Sequence, residues 1–371
     1  MRRLRIILLL LISHCLAAAP ADHRVRVAYF VPSDRHPVAN YQQKIRSVMS
    51  IVSEVYLQDL RSKNYATDGL RFESENNQFK IQLVRGDKPA AHYNNAPAYN
   101  ADEQWRRLQP EIRSKIGNPQ DQIIIVFAET YDDGPAEHLW PGVIARGAYN
   151  SADGGLAVFS AHLLRDELSA ATPAQLKKLF LDQTPVPGRR AWGQKMNSAR
   201  GQIVEDGVGA VVHELGHALG LPHDRRRDDI DIMGNGFRNL RWNFSATGGP
   251  GGKKACFSDE CALLLMSSRY LAKDLDLPDI EPPRLQAGKL IRNSKSYSLS
   301  IKTTDNTGLR GIVFIDRTAG SIIGGQKLSG KSHEQVYRLT PFNPQATDLK
   351  LQVILADNGG HQTRISVESS Q

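Results

Sequence analysis

The chain has 371 residues, 40% hydrophobic and 23% charged, with a formal net charge of +8. That length suits two domains or one large one, and the composition is that of an ordinary soluble globular protein. The positive excess is spread thinly: Arg225, Arg226 and Arg227 are followed at once by Asp228, Asp229 and Asp231. Local neutralisation of this kind leaves no nucleic-acid footprint.

Residues 1–21 stand apart. Arg2, Arg3 and Arg5 precede the apolar run "IILLLLI" and then "AAAPA", which reads as a Sec-type signal peptide with a small-residue cleavage site. The run is too short to span a bilayer as a helix. The expected destination is secreted, periplasmic or cell-surface. Cleavage would also remove Cys15, leaving Cys256 and Cys261 in "CFSDEC". Two cysteines this close in an exported protein are expected to form a disulfide.

Downstream, "RVRVAYFV" alternates Val25, Val27, Tyr29 and Val31 as a strand does. Residues 38–60 carry Tyr41, Ile45, Val48, Met49, Val52 and Tyr56 at three- and four-residue steps, predicting an amphipathic helix. "FKIQLV" from Phe79 is a second strand. "ADEQWRRLQPEIRSKIG" has Trp105, Leu108 and Ile112 at helical spacing, with Pro110 expected to kink or interrupt it. "IIIVFA" from Ile123 reads as a strand buried on both faces, and "GGLAVFSAHLL" from Gly154 as another. "YDDG" (131–134) is a weak calcium candidate lacking the ligand spacing of a known loop, and His138 and Trp140 read as surface-loop residues. A helix is expected to begin near Ile203 to Asp206, and another after the N-cap candidate Ser258. "LPDIEPPRLQ" (277–286) holds three prolines, as an inter-domain linker does. Short strands then fill the remainder, with "DNGG" (357–360) as a turn. The predicted fold is therefore α/β (α+β): a twisted mixed sheet with an active-site helix over 22–276, the linker 277–286, and a small β-sandwich of immunoglobulin or fibronectin type over 287–371.

The most informative stretch is "VVHELGHALGLPHDRRRDDIDIM", residues 211–233. On a helix, His213 and His217 project from one face a turn apart. Val211, Val212, Leu215, Ala218 and Leu219 fall mostly to the other side, toward the sheet. Gly220 suits the left-handed residue that ends a helix, and Pro222 opposes continuation. The chain can then turn and bring His223 back to the same ion. Three neutral imidazoles leave a coordination position open on Zn2+, as catalytic rather than structural zinc sites do. Glu214 borders the site without being a ligand, placed to act as general base on a zinc-activated water. With 11 His, 39 acids and 30 Gly in the chain, this pattern arises by chance in about one such sequence in ten thousand.

His213-Glu214-x-x-His217-x-x-Gly220-x-x-His223 resembles the zinc signature of the metzincin metallopeptidases. The resemblance implies a metzincin-like catalytic domain and zinc endopeptidase activity. It implies that Met233, in "DIMGNG", forms a methionine turn beneath the ion. Asp224, directly after the third His, is similar to the reprolysin/adamalysin branch, where the acid supports the site from behind the ligands. No Tyr follows Met233 where astacin-like members have one. The resemblance also implies a protein or peptide substrate lying extended along an edge strand, with 154–160 as the candidate. The C-terminal sandwich would bind a surface ligand or pack on the catalytic domain. The alternative is an extracellular binding protein whose zinc site is structural or inactive.

Overall fold

The computed structural model describes residues 23–368 apart from 77, 96–97, 99, 133–144, 152 and 347. The signal-peptide expectation, His138, Trp140 and the second half of "YDDG" lie outside the described residues.

The first half of the chain builds a five-stranded sheet from β1 (Arg26–Val31), α1 (Tyr41–Ser62), a short hairpin β2 (Ser74–Glu75) and β3 (Gln78–Phe79), β4 (Ile81–Arg85), α2 (Ala90–Asn94), α3 (Ala101–Lys115), β5 (Ile123–Ala128), β6 (Ala145–Ser151) and β7 (Gly154–Ser160). The spatial order is β4-β1-β5-β7-β6, parallel except for β6, which runs antiparallel to β7. Alternation decides which layer each residue joins. Val27, Tyr29, Val31, Ile125 and Phe127 face a core shared with Ile45, Val48, Val52 and Tyr56 of α1. Ala28, Phe30, Ile124 and Val126 face the opposite layer, with Trp105, Leu108 and Ile112 of α3. Helix α3 runs through Pro110 uninterrupted. Pro110 and Arg106 are both exposed, so the carbonyl that the missing N–H leaves unbonded faces water.

Two further helices follow α4 (Pro173–Phe180): α5 (Arg200–Ala218) and α6 (Asp259–Leu265). Val208, Val211, Val212, Leu215, Ala218 and Leu219 all join the core on the α1 side. Helix α5 starts at Arg200, earlier than the sequence suggested: Gln202 Oε1 accepts from the Ala199 N–H at 3.1 Å and closes the first turn, and the buried acids further along are engaged. Glu205 accepts from the Arg241 backbone N–H at 2.7 Å, and Asp206 accepts from the Trp192 N–H at 2.5 Å. Ser258 caps α6 as expected, accepting from the Cys261 N–H at 3.2 Å.

The expected Cys256–Cys261 disulfide is absent: both are free thiols. Cys256 lies on a β-bridge with Asp231, its sulfur 4.0 Å from the Arg227 guanidinium. Cys261 is fully buried inside α6, where burial pushes its thiol above the usual range. Sequence proximity sets the reach of the chain between two cysteines, not the direction of their Cβ bonds.

The last third is two antiparallel sheets formed by β8 (Arg284–Asn293), β9 (Ser296–Thr304), β10 (Leu309–Asp316), β11 (Ser321–Lys327), β12 (Ser332–Leu339), β13 (Lys350–Asp357) and β14 (Gln362–Glu368). One sheet has the order β11-β10-β13-β14 and the other β12-β9-β8. Leu299 and Ile301 meet Ile312, Phe314, Leu351, Val353 and Leu355 between them. Strand β8 takes up residues 284–286 of the proline-rich segment. Val313, Ile315, Ile322 and Ile354, on the outer face of the four-stranded sheet, join the core of the first domain. The sandwich therefore packs on the α/β half of the chain.

Candidate active site

Helix α5 carries His213 and His217 with ring centroids 4.8 Å apart. It ends in a Schellman motif: the Gly220 N–H donates to the His217 carbonyl and the Leu221 N–H to the Gly216 carbonyl, both at 2.9 Å. Gly220 sits at φ +92°, a conformation that favours glycine. This reversal returns His223 to the helix. One ring nitrogen from each of His213, His217 and His223 lies within 4.8 Å of the others.

The nitrogens are oriented from behind. His213 Nδ1 lies 2.6 Å from the Ile232 carbonyl oxygen and His217 Nδ1 2.8 Å from that of Leu221. A carbonyl can only accept, so each Nδ1 carries the proton and each Nε2 presents a lone pair. Burial holds all three imidazoles below their ordinary pKa, most strongly His213, with His223 brought to about 4. Neutral imidazole is the metal-binding form. The Nε2 atoms of His217 and His223 are 3.2 Å apart, against roughly 3.3 Å for two nitrogens on a tetrahedral zinc ion. The donor set thus fits a zinc ion.

Glu214 stands beside this trio and is not part of it. Its Oε2 accepts from the Gly147 backbone N–H at 2.5 Å. Burial lifts its carboxyl to about 7, against the opposing pull of that N–H and of Arg146 and Arg238. Gly147 is required by close approach: a Cβ there would lie 2.9 Å from the His217 Cβ and still nearer the Glu214 carbonyl oxygen.

Met233 is fully buried against the underside of α5, where a Cβ on Gly216 would come within 2.6 Å of its sulfur. Its carbonyl accepts from the Asp224 N–H at 3.0 Å. The Asp224 carboxylate turns away from the imidazoles. It accepts from Arg226 Nε at 3.0 Å and Nη2 at 2.6 Å, and Arg226 also binds Glu260 of α6. Those contacts hold the carboxyl of Asp224 below its usual range despite burial.

The expected substrate strand, 154–160, is not at the edge. β7 is buried along its length between β5 and β6, and the edge strand beside α5 is β6, residues 145–151. Its sequence, "ARGAYNS", lacks apolar alternation: Gly147 is there for close approach to α5, Arg146 pairs with Asp102 of α3, and Tyr149 receives Arg364. The Asp153-Gly154 pair was the available hairpin signal. The sequence reading also missed the walls of a cleft of about 400 Å³, which Glu214 and His223 share with Arg225, Asp228, Asn235 and Arg238. Arg225 and Asp228 lie on the loop after His223, Asn235 on the turn after Met233 and Arg238 in the short 3-10 helix Gly236–Asn243, where no periodicity marks them.

Comparison with known proteins agrees with this geometry. In fold, the chain resembles OgpA of Akkermansia muciniphila. The TM-score is 0.62 at 14% identity, with 97% of each chain covered, for a catalytically inactive form in complex with an O-glycopeptide (glycodrosocin) substrate. It is 0.61 at 15% identity for the wild type, covering 97% of this chain and 98% of OgpA. The Schizosaccharomyces pombe protein named "Putative zinc metalloproteinase C607.06c" is 27% identical over 188 residues, 49% of this chain. The match spans only 29% of that relative's length. The model of the family described as "Putative peptidase family" (Metallopep) matches residues 28–276, well over half of the chain, and the chain belongs to that family.

Proposed function

We propose that the chain is an exported zinc endopeptidase of metzincin type, with His213, His217 and His223 holding the metal, Glu214 as general base and Met233 as the floor of the site. One observation carries the reading: three imidazoles, His213 buried and His217 and His223 half-buried, converge with their pKa values held down while a carboxylate at their border stays outside the set. Bound there, zinc would supply Lewis-acid polarisation of the scissile carbonyl and acidification of water.

The chain's own residues do the rest. Glu214, with a carboxyl poised near neutrality, takes the proton of the attacking water and delivers it to the leaving amine. The Gly147 N–H keeps the carboxylate on the β6 side of the site. β6 offers backbone donors and acceptors along the sheet edge, so a substrate in extended conformation can add as a further strand.

The test is Glu214→Gln. This variant should retain one zinc per chain and lose about 10²- to 10⁴-fold in kcat/KM. The assay uses a proteome-derived peptide pool containing O-glycosylated and unglycosylated members, since OgpA was crystallised with an O-glycopeptide substrate. Undiminished cleavage by Glu214→Gln would reject the role of Glu214. Zinc-loaded wild type that cleaves nothing in the pool would favour the binding-protein alternative.

A further inference from the structure

A second cluster of potential ligands lies far along the chain from the histidines. Asp279, Asp305 and Asp357 each place one carboxylate oxygen within 4.8 Å of the other two. They come from three segments: the stretch leading into β8, the turn between β9 and β10, and the end of β13. Asp357 is fully buried and Asp279 is 5% exposed.

The hydrogen-bond inventory of these carboxylates is incomplete in a directed way. Asp279 is satisfied by Asn306 at 2.9 Å, Thr307 at 2.7 Å and the Glu281 N–H at 3.0 Å. Asp305 Oδ1 accepts from the N–H groups of Thr307 and Gly308, and Asp357 Oδ1 from the N–H of His361. The second oxygens of Asp305 and Asp357 are buried with no partner among the described residues. No Lys or Arg forms an ion pair with any of the three among the described residues. The nearby Arg269 is committed to the backbone carbonyls of Gly359 and Asp279, both at 2.9 Å. The His361 ring faces the Asp279 carbonyl oxygen at 2.9 Å.

Three acids gathered beside a single imidazole, His361, with no Lys or Arg ion pair among the described residues and two buried oxygens unsatisfied, favour a further positive partner. An all-oxygen donor set selects a hard ion. Three oxygens no more than 4.8 Å apart all lie within about 2.8 Å of a common point, a few tenths of an ångström outside the Ca2+–oxygen distance of about 2.3–2.6 Å. We propose that Asp279, Asp305 and Asp357 form a calcium site that fastens the proline-rich segment to the end of the β-sandwich. The site is separate from the "YDDG" candidate, and it would stiffen the joint between the two halves of the molecule.

The experiment uses the full zinc-loaded chain in calcium-free buffer. CaCl2 and, separately, MgCl2 are titrated in by calorimetry, and thermal unfolding is followed in parallel. One Ca2+ should bind per chain, and Tm should rise by about 2 °C for each tenfold increase in Ca2+ above the Kd. Asp305→Asn and Asp357→Asn should weaken Ca2+ binding at least tenfold, with the zinc content unchanged. Asp305 is the more accessible of the two, so its variant serves if Asp357→Asn fails to fold. Absence of binding at about 10 mM Ca2+, or equal binding by wild type and Asp305→Asn, overturns the proposal. So does a higher Tm for Asp357→Asn than for wild type in calcium, the signature of a cluster held by a shared proton.

Discussion

Gly147→Ala tests whether the edge strand positions Glu214, the proposed general base. The added methyl would meet the Glu214 carbonyl oxygen well inside contact distance and the His217 Cβ at 2.9 Å. Ordinary carbon contacts begin near 3.5 Å, so β6 and α5 must separate by roughly 1 Å. Overpacking of this kind costs about 1–3 kcal/mol of stability. The separation also breaks the hydrogen bond from the Gly147 N–H to Glu214, worth about 1.5–3 kcal/mol for a charged acceptor. A displacement of about 1 Å at a catalytic group lowers rate about 10²-fold. The expected outcome is therefore a loss of about 100-fold in kcat/KM at saturating zinc, with Tm lower by a few degrees. Gly324→Ala is the control, since nothing lies within 4 Å of its added methyl, and it should match wild type in both measurements. Activity within twofold of wild type for Gly147→Ala, at unchanged Tm, would refute the placement of β6 against Glu214.

Two further perturbations probe the supports of the site. Met233→Ala empties a fully buried position beneath α5 and should lower unfolding free energy by about 2–5 kcal/mol, whereas Met233→Leu should cost less than about 1.5; denaturant titration distinguishes them. Arg364→Ala removes the guanidinium that donates to the Gly220 carbonyl at 2.8 Å and stacks on Tyr149 at 4.3 Å. It should cost about 1.5–3 kcal/mol and weaken zinc retention in a competition titration against a chromophoric chelator, with unaltered retention counting against the contact.

What the sequence disclosed follows the range over which each feature is encoded. The His trio is local: helical spacing aligns His213 and His217, and a single left-handed residue returns His223. β1, α1 and β5 were legible because their burial is periodic. β6 was not, because Gly147 is there for close approach and Tyr149 to receive Arg364, a partner 215 positions away along the chain. The disulfide expectation failed for a related reason. Cys256 is fixed by its bridge to Asp231 and Cys261 by the interior of α6, and neither constraint is visible in their spacing. The docking of the sandwich had left one trace: "IVFI" in β10 is a continuous apolar run, which alternation on a one-sided sheet would not produce.

That docking bears on the site itself. His213 and His217 are held by helix α5, but His223 lies on a loop, and ordering a loop costs about 1–2 kcal/mol of conformational entropy per residue. The four-stranded sheet of the sandwich meets that cost with backbone contacts on both flanks of the third histidine. Arg364 of β14 holds the Gly220 carbonyl before it; the Ile322 N–H of β11 donates to the carbonyl of His223 itself at 3.0 Å; and Ser321 Oγ accepts from the Arg225 N–H after it at 3.0 Å. None of these contacts touches an imidazole, so they fix the path of the chain and leave the nitrogen free to bind. The sandwich is thus part of the scaffold that places the third histidine, and any perturbation that loosens it acts first on His223.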